Sequence, residues 1–267
     1  MSIWQSIALG ILQGLTEFLP VSSSGHLALA EHFLAVESPG VTFEVFVHFG
    51  TALAVIVYFR RRIASILRAL VRWCFRRDHD ESDAKLGLLL LVGTLPAVAV
   101  GLLFEETVER AFGNPVLVSV LLMVTGFVLW ITKLIPEGGR PRPGVPGALA
   151  IGFAQAAAVL PGVSRSGATI SAALGLRLGR TAAAEFAFLL SLPVILGATA
   201  MSVTDALAGG GSAGMTVTLG TAAAFGSAVP AIALLMRVVN AGTFYRFAYY
   251  CWGAGLLALG LTIFGTA

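Results

Sequence analysis

Three ionisable residues, Glu17, His26 and Arg165, stand in otherwise apolar surroundings. Placing such a side chain at the centre of a membrane helix costs about 2.5 to 3.5 kcal/mol on insertion scales, so each carries a functional reading by default. Gln13 and Glu17, four residues apart, share one face of a helix and point at the same site. Next comes FLPVSSSGH, Phe18 to His26, which sets Ser22, Ser23 and Ser24 beside a carboxylate and an imidazole. A hydroxyl within reach of a base is the general signature of an activated nucleophile. In LPGVSRSGAT, Leu160 to Thr169, Arg165 is flanked by Ser164 and Ser166 and followed by Gly167 and Thr169. A planar guanidinium fork, several hydroxyls and the free amides of a broken helix suit a phosphate group.

Such groups need an apolar scaffold, and the composition supplies one. Of 267 residues, 57% are hydrophobic and 12% charged, with a mean hydropathy of +0.89; most of the chain cannot be the surface of a soluble globule. The expected fold is an all-α membrane protein, a single domain of six transmembrane helices plus two re-entrant helix hairpins. The spans run approximately from Val41 to Phe59, Leu86 to Phe104, Pro115 to Thr132, Ala182 to Val203, Thr216 to Met236 and Phe247 to Phe264. The hairpins occupy Ile3 to Leu34 and Val145 to Leu176, each broken where proline removes a backbone donor and clashes with the preceding turn. Unwound backbone survives at membrane depth only where protein or a water-filled cavity satisfies it.

The two hairpins are copies. A shift of 142 residues places Gly10 on Gly152, Gln13 on Gln155, Val21 on Val163, Ser22 on Ser164, Ser24 on Ser166 and Gly25 on Gly167. After each copy come a span beginning near a glutamate (Glu44, Glu185), a span with an internal Pro-Ala (Pro96, Pro230) and a third apolar span. Repeat 1 covers approximately residues 1–135 and repeat 2 residues 145–267, and three crossings per unit invert the second relative to the first. Charge supports this. Arg60, Arg61, Arg62, Arg68, Arg72, Arg76, Arg77 and Lys85 mark the loop from Phe59 to Leu86 as cytoplasmic, and counting spans puts Lys133, Arg140, Arg142, Arg177, Arg180, Arg237 and Arg246 on the same side. Of 17 basic residues only Arg110, outside, and Arg165, in a hairpin tip, depart from it. Both termini are then external, the N-terminus lacks the basic region of a signal peptide, and the tips meet near the midplane, open to the outer side. The two cysteines, Cys74 and Cys251, read as structural; His32, His48 and His79 read as interface, span and loop residues.

With QGLTEFLPVSSSGH (Gln13 to His26), TFEV (Thr42 to Val45) and LPGVSRSGATIS (Leu160 to Ser171), nearly the whole chain resembles the bacterial undecaprenyl pyrophosphate phosphatases of the BacA or UppP type. The resemblance implies removal of the terminal phosphate from undecaprenyl pyrophosphate in the bacterial plasma membrane, recycling the lipid carrier of cell-wall synthesis, with bacitracin resistance on overproduction. It also implies a divalent cation, Mg2+ or Ca2+, and carries function by position to Glu17, Ser23, His26, Ser164, Arg165, Ser166 and Thr169. Gln13 stands where many members carry glutamate, so it offers any cation beside Glu17 only a neutral oxygen. The roles expected are Ser23 as nucleophile, His26 as proton-transfer partner, Glu17 as base or metal ligand, and Ser22, Ser164, Arg165, Ser166 and Thr169 around the phosphate; a competing assignment makes His26 the nucleophile. Partners are the lipid pyrophosphate and the membrane, with no nucleic acid, and homodimerisation stays open.

Blander readings stand beside these. Glu17 could cap donors freed by Pro20, Arg165 could pair with Glu17 as a structural ion pair, and Ser24, Ser171 and Ser191 could be packing contacts. The rival activity is a transporter or flippase for a phosphorylated lipid or anion, since inverted repeats with broken helices build many transport sites. Orientation is directly testable: a cysteine at Ser82 should react with an impermeant thiol reagent only from the cytoplasmic side, and cysteines at Ala208 and the C-terminus only from outside. Outside labelling at Ser82 would reverse the assignment.

Overall fold

The computed structural model describes residues 1–34, 40–78, 80–208 and 214–265. His79, the Gly-rich residues 209–213 and the C-terminal residues 266–267 lie outside these, as do the side chains of Thr42 and Ala208. The described chain is helical: α1 (Ile3–Phe18), α2 (Ser23–Leu34), α3 (Gly40–Tyr58), α4 (Arg60–Cys74), α5 (Glu81–Leu103), α6 (Glu105–Phe112), α7 (Pro115–Ile131), α8 (Val145–Ala157), α9 (Arg165–Gly175), α10 (Arg180–Ala208), α11 (Met215–Asn240) and α12 (Phe247–Phe264). Five described helices are long and apolar enough to cross a membrane, namely α5, α7, α10, α11 and α12, and α3 joined to α4 makes a sixth candidate bent by 83°.

The bend is where sequence reading and structure part. The segment after Phe59, expected as a loop, is helix α4, with Ile66 and Ala69 buried and its arginines largely turned outward. A steep separation of apolar and basic residues around a helix is the pattern of one that lies along a surface rather than across it. Arg62 fastens it, pairing with Asp83 at the start of α5 and donating from Nε to Glu185 Oε1 on α10 at 2.6 Å.

The two expected breaks are present, and their causes are local. Leu19 precedes Pro20 and adopts an extended conformation (φ −61°, ψ 140°), which ends α1. Ser22 takes a positive φ of 65° and α2 starts at the next residue. In the second copy Gly162, with φ +97°, turns the chain before α9, and a side chain there would strike the Val118 carbonyl.

Helices from the two halves of the chain pack against each other. α1 lies along α11 and α8 along α5, while α3 meets both α10 and α11 and α7 meets α12. Glycine lets the backbones approach, as is common among apolar helices that lack a hydrophobic drive toward one another. A Cβ at Gly10 would overlap the Gly220 carbonyl, and one at Gly152 would overlap the Gly93 carbonyl. The main core runs between these layers, with Phe18, Phe186, Phe188, Leu190, Leu122 and Ile170 buried within it. Cys251 is buried there and donates its thiol to the Pro20 carbonyl at 3.4 Å, while Cys74 is exposed.

Gly10→Ala should therefore destabilise the protein by about 1 to 3 kcal/mol, the usual cost of overpacking. Gly253→Ala, where the new methyl meets nothing within 4 Å, should be neutral or stabilising by up to about 1 kcal/mol. Thermal unfolding of both in one detergent checks this, and equal melting temperatures would contradict the close α1–α11 approach.

Candidate active site

The broken segments are built alike. Ser22 and Ser164, equivalent under the 142-residue shift, each turn a hydroxyl back to cap the second helix of the hairpin: Ser22 Oγ accepts from Gly25 N at 3.2 Å and Ser164 Oγ from Gly167 N at 3.1 Å. Ser22 Oγ also accepts from Gly162 N of the other tip at 3.1 Å, and Ser166 Oγ donates to the Leu19 carbonyl at 3.3 Å. Thr125 on α7, which sequence reading did not single out, bridges the second tip by donating to the Gly162 carbonyl at 2.8 Å and accepting from Ser164 N at 3.1 Å. The first turns of α2 and α9 are thereby held together, and helix N-termini favour anions.

Glu17 is the hub. Its side chain is 2% exposed, and it accepts from Ser23 Oγ at 2.5 Å and from Gln13 Nε2 at 2.9 Å. Arg165 Nη2 forms an ion pair with Oε1, and His48 Nε2 approaches Oε2 at 3.6 Å. His48 was read as an ordinary span residue. Its spacing from Glu44, whose carbonyl accepts from His48 Nδ1 at 2.7 Å, shows only a shared helix face, and nothing in the sequence says that this face meets Glu17.

These groups border a cavity of about 410 Å3. Glu17, Ser22, Ser23, Ser24, Ser164 and Arg165 line it, together with Glu44, His48 and Gln155, while Ala97, Val108, Phe112, Val159, Val163 and Ile195 supply apolar walls. Of the expected residues, Gln13 supports Glu17 from behind. Ser166 and Thr169 border a small crevice on the other side of Glu17 and Arg165, beside Phe188 and Ser191, and the Thr169 hydroxyl donates to the Arg165 carbonyl at 2.7 Å. Ser24 joins the Ser22 hydroxyl at 3.5 Å, and Ser191 donates to the Phe188 carbonyl of its own helix at 2.8 Å.

His26 is the exception among the expected catalytic residues. Its Nδ1 contacts the Ser22 carbonyl at 2.8 Å, and its Nε2 contacts Tyr250 Oη on α12 at 2.8 Å, with the two rings stacked 5.7 Å apart. Tyr250 borders a second cavity, of about 500 Å3, with Thr16, Thr243 and Arg246. Although it stands only three residues after Ser23 on α2, His26 is held by these partners and does not line the cavity of Glu17 and Ser23, so the structure does not bring it to the Glu17 cluster.

A divalent cation can be tested against the donors present. Among the described residues no group of three or more His, Cys, Asp or Glu side chains gathers in one place. Gln13 Oε1 is nevertheless buried beside Glu17 without a hydrogen-bond partner. Two oxygen donors of this kind fit a hard cation that keeps waters and takes the rest of its ligands from phosphate.

The model of the bacitracin resistance protein BacA family matches residues 6–257. Proteins named undecaprenyl-diphosphatase align over almost their full lengths. That of Syntrophotalea carbinolica is 43% identical over 96% of this chain and 97% of its own. That of Salinibacter ruber is 41% identical over 98% of this chain and 100% of its own, and that of Desulforapulum autotrophicum is 40% identical over 97% and 98%.

The buried pair of Glu17 and Arg165 sets a stability expectation. Removing one partner leaves the other charge uncompensated, at a cost of about 3 to 5 kcal/mol, whereas removing both spares most of that loss. Glu17→Gln and Arg165→Gln should each lower the melting temperature in detergent, and the double variant should recover much of the loss. Additive losses in the double variant would mean that the charges do not compensate each other.

Proposed function

This chain belongs to the bacitracin resistance protein BacA family, and we propose that its two hairpin tips hold a lipid pyrophosphate for attack by Ser23. The protein is a polyprenyl pyrophosphate phosphatase: it hydrolyses undecaprenyl pyrophosphate to undecaprenyl phosphate and inorganic phosphate, and with that activity it confers bacitracin resistance. The observation that carries the residue assignment is the Ser23 hydroxyl donating to the Glu17 carboxylate at 2.5 Å on the floor of the cavity. A nucleophile bonded to a base that is itself oriented by a third group is the arrangement that activates a hydroxyl, and here Gln13 and Arg165 orient the base.

The Ser23 Oγ attacks the terminal phosphorus while its proton passes to Glu17, and the bond from that phosphorus to the bridging oxygen breaks to release the lipid monophosphate. Water then attacks the phosphoserine, Glu17 returns the proton to Ser23 Oγ, and phosphate leaves with the remaining hydrogens of the water. Arg165 and the first-turn amides of α2 and α9 stabilise charge on the phosphoryl oxygens. Glu17 takes the proton-transfer role expected of His26, because His26 is held by the Ser22 carbonyl and Tyr250. Ser22 and Ser164 shape the tips through their caps, Ser166 ties the second tip to Ser164 and to the Leu19 carbonyl, and Thr169 donates to the Arg165 carbonyl. A divalent cation, when bound, would be held by Glu17 and Gln13 and would neutralise pyrophosphate charge.

The surroundings are read in the same way. The α1–α2 and α8–α9 pairs are re-entrant hairpins of an inverted repeat, a reading supported by the equivalent caps and by the exchange of partners in which α1 packs on α11 and α8 on α5. The site opens to the outer side with both termini external, supported by Val108 and Phe112 of α6 lining the cavity while the basic helix α4 lies elsewhere. The apolar walls receive the isoprenoid tail as the polar floor receives the pyrophosphate.

Ser23→Ala should lose at least about 100-fold in turnover, as removal of a reacting group does, while Ser191→Ala stays near wild type. Arg165→Lys keeps the charge but not the planar fork, and should fall by about 100- to 1,000-fold in rate with a smaller effect on binding. Phosphate release from a polyprenyl pyrophosphate by the folded variants is the measurement. Near-wild-type turnover in Ser23→Ala would remove it as nucleophile, and more than about a tenth of wild-type turnover in Arg165→Lys would sink the bidentate role.

A further inference from the structure

Gln155, in the last turn of α8, is 2% exposed and borders the same cavity as Glu17 and Ser23. Both its amide nitrogen and its amide oxygen are buried with no hydrogen-bond partner. A folded protein rarely leaves both ends of an amide unmet, because desolvation is then uncompensated.

The duplication explains how the partner was lost. The 142-residue shift that places Gln13 on Gln155 places Glu17 on Val159. In the first copy Gln13 Nε2 donates to Glu17 Oε2 at 2.9 Å; in the second the corresponding position is apolar, and Val159 borders the cavity beside Gln155. One glutamine orients the base, and its copy faces the cavity with nothing to orient.

We infer that Gln155 binds the lipid-side phosphate of the pyrophosphate, donating from Nε2 to its oxygens and so setting the bridging oxygen opposite Ser23. This rests on the pyrophosphatase reading above and adds a second subsite to it. The terminal phosphate is claimed by Arg165 and the helix N-termini at the tips. Gln155 stands before the second break, next to the apolar wall formed by Ala158 and Val159, where the junction of head group and tail comes to lie. A neutral donor also suits this position: it supports the leaving phosphate without adding a second cation that would retain the product.

Replacement of Gln155 by Leu and by Met separates this role from a structural one. Both variants should lose about 10- to 100-fold in kcat/KM for a polyprenyl pyrophosphate, the loss expected for a hydrogen bond to a charged group. Inhibition by polyprenyl monophosphate should weaken by a similar factor while inhibition by inorganic phosphate is unchanged. Because an unmet amide has been removed, the melting temperature should hold or rise. Unchanged kcat/KM, equal weakening of both inhibitors, or a lowered melting temperature in both variants would overturn the assignment. A wild-type protein that releases no phosphate would overturn the pyrophosphatase reading itself, whereas an active wild type with indifferent Gln155 variants removes only the second subsite.

Discussion

Two helices broken inside an apolar bundle must find partners for the backbone that the breaks expose, and much of the structure follows from how they do so. The solution is mutual. Ser22 caps its own helix and also accepts from Gly162 of the other tip, Ser166 reaches the Leu19 carbonyl, and Thr125 and Cys251 reach in from α7 and α12 to Gly162 and Pro20. Each tip satisfies the other, so neither can be placed without its counterpart. That interdependence also fixes the chemistry, since it brings the start of α9, with Arg165, against Glu17 at the end of α1.

The copies were free to diverge where the backbone did not constrain them. The capping serines are common to both, because both breaks need the same bond. The charged positions are not. Under the 142-residue shift Glu17 has only Val159 opposite it, Ser23 has Arg165, and Glu44, on the cavity wall, has Phe186, while the neighbouring Glu185 is engaged by Arg62. The two similar segments thus build an asymmetric centre, in which one supplies the Ser23 hydroxyl and the Glu17 carboxylate and the other supplies the Arg165 guanidinium. Two like charges facing each other in so buried a place would repel with little screening, whereas this division pairs them.

Such a pair is also a means of holding reactive groups ready. Burial makes the Glu17–Arg165 attraction strong and its disruption costly, so the carboxylate keeps a fixed orientation toward Ser23. The same apolar walls that make charge expensive leave the cavity with one polar end and one apolar side.

The long apolar helices were legible in the sequence. Hydropathy is a property of each segment alone, and the expected Phe247 to Phe264 span coincides with α12 while the other five agree with theirs to within a few residues. The breaks were legible too, because Pro20 and the Pro161–Gly162 pair act through local sterics, and Glu17, His26 and Arg165 stood out as ionisable groups in apolar sequence, of which the structure brings Glu17 and Arg165 together. What the sequence by itself did not determine was direction and company. Helix α4 was read as a loop because basic residues interrupt its hydropathy, although their spacing also suits a helix with one face on the protein. His26 and His48 could not be sorted, since the face each helix presents depends on neighbours far away in the chain: Tyr250 on α12 draws one imidazole from the site, and the packing of α3 beside α1 brings the other toward Glu17. Composition and local sterics settle where the long apolar helices run and where they break; only the packing of one helix against another decides which side chains meet, because that choice is made by contacts between residues that no local pattern connects.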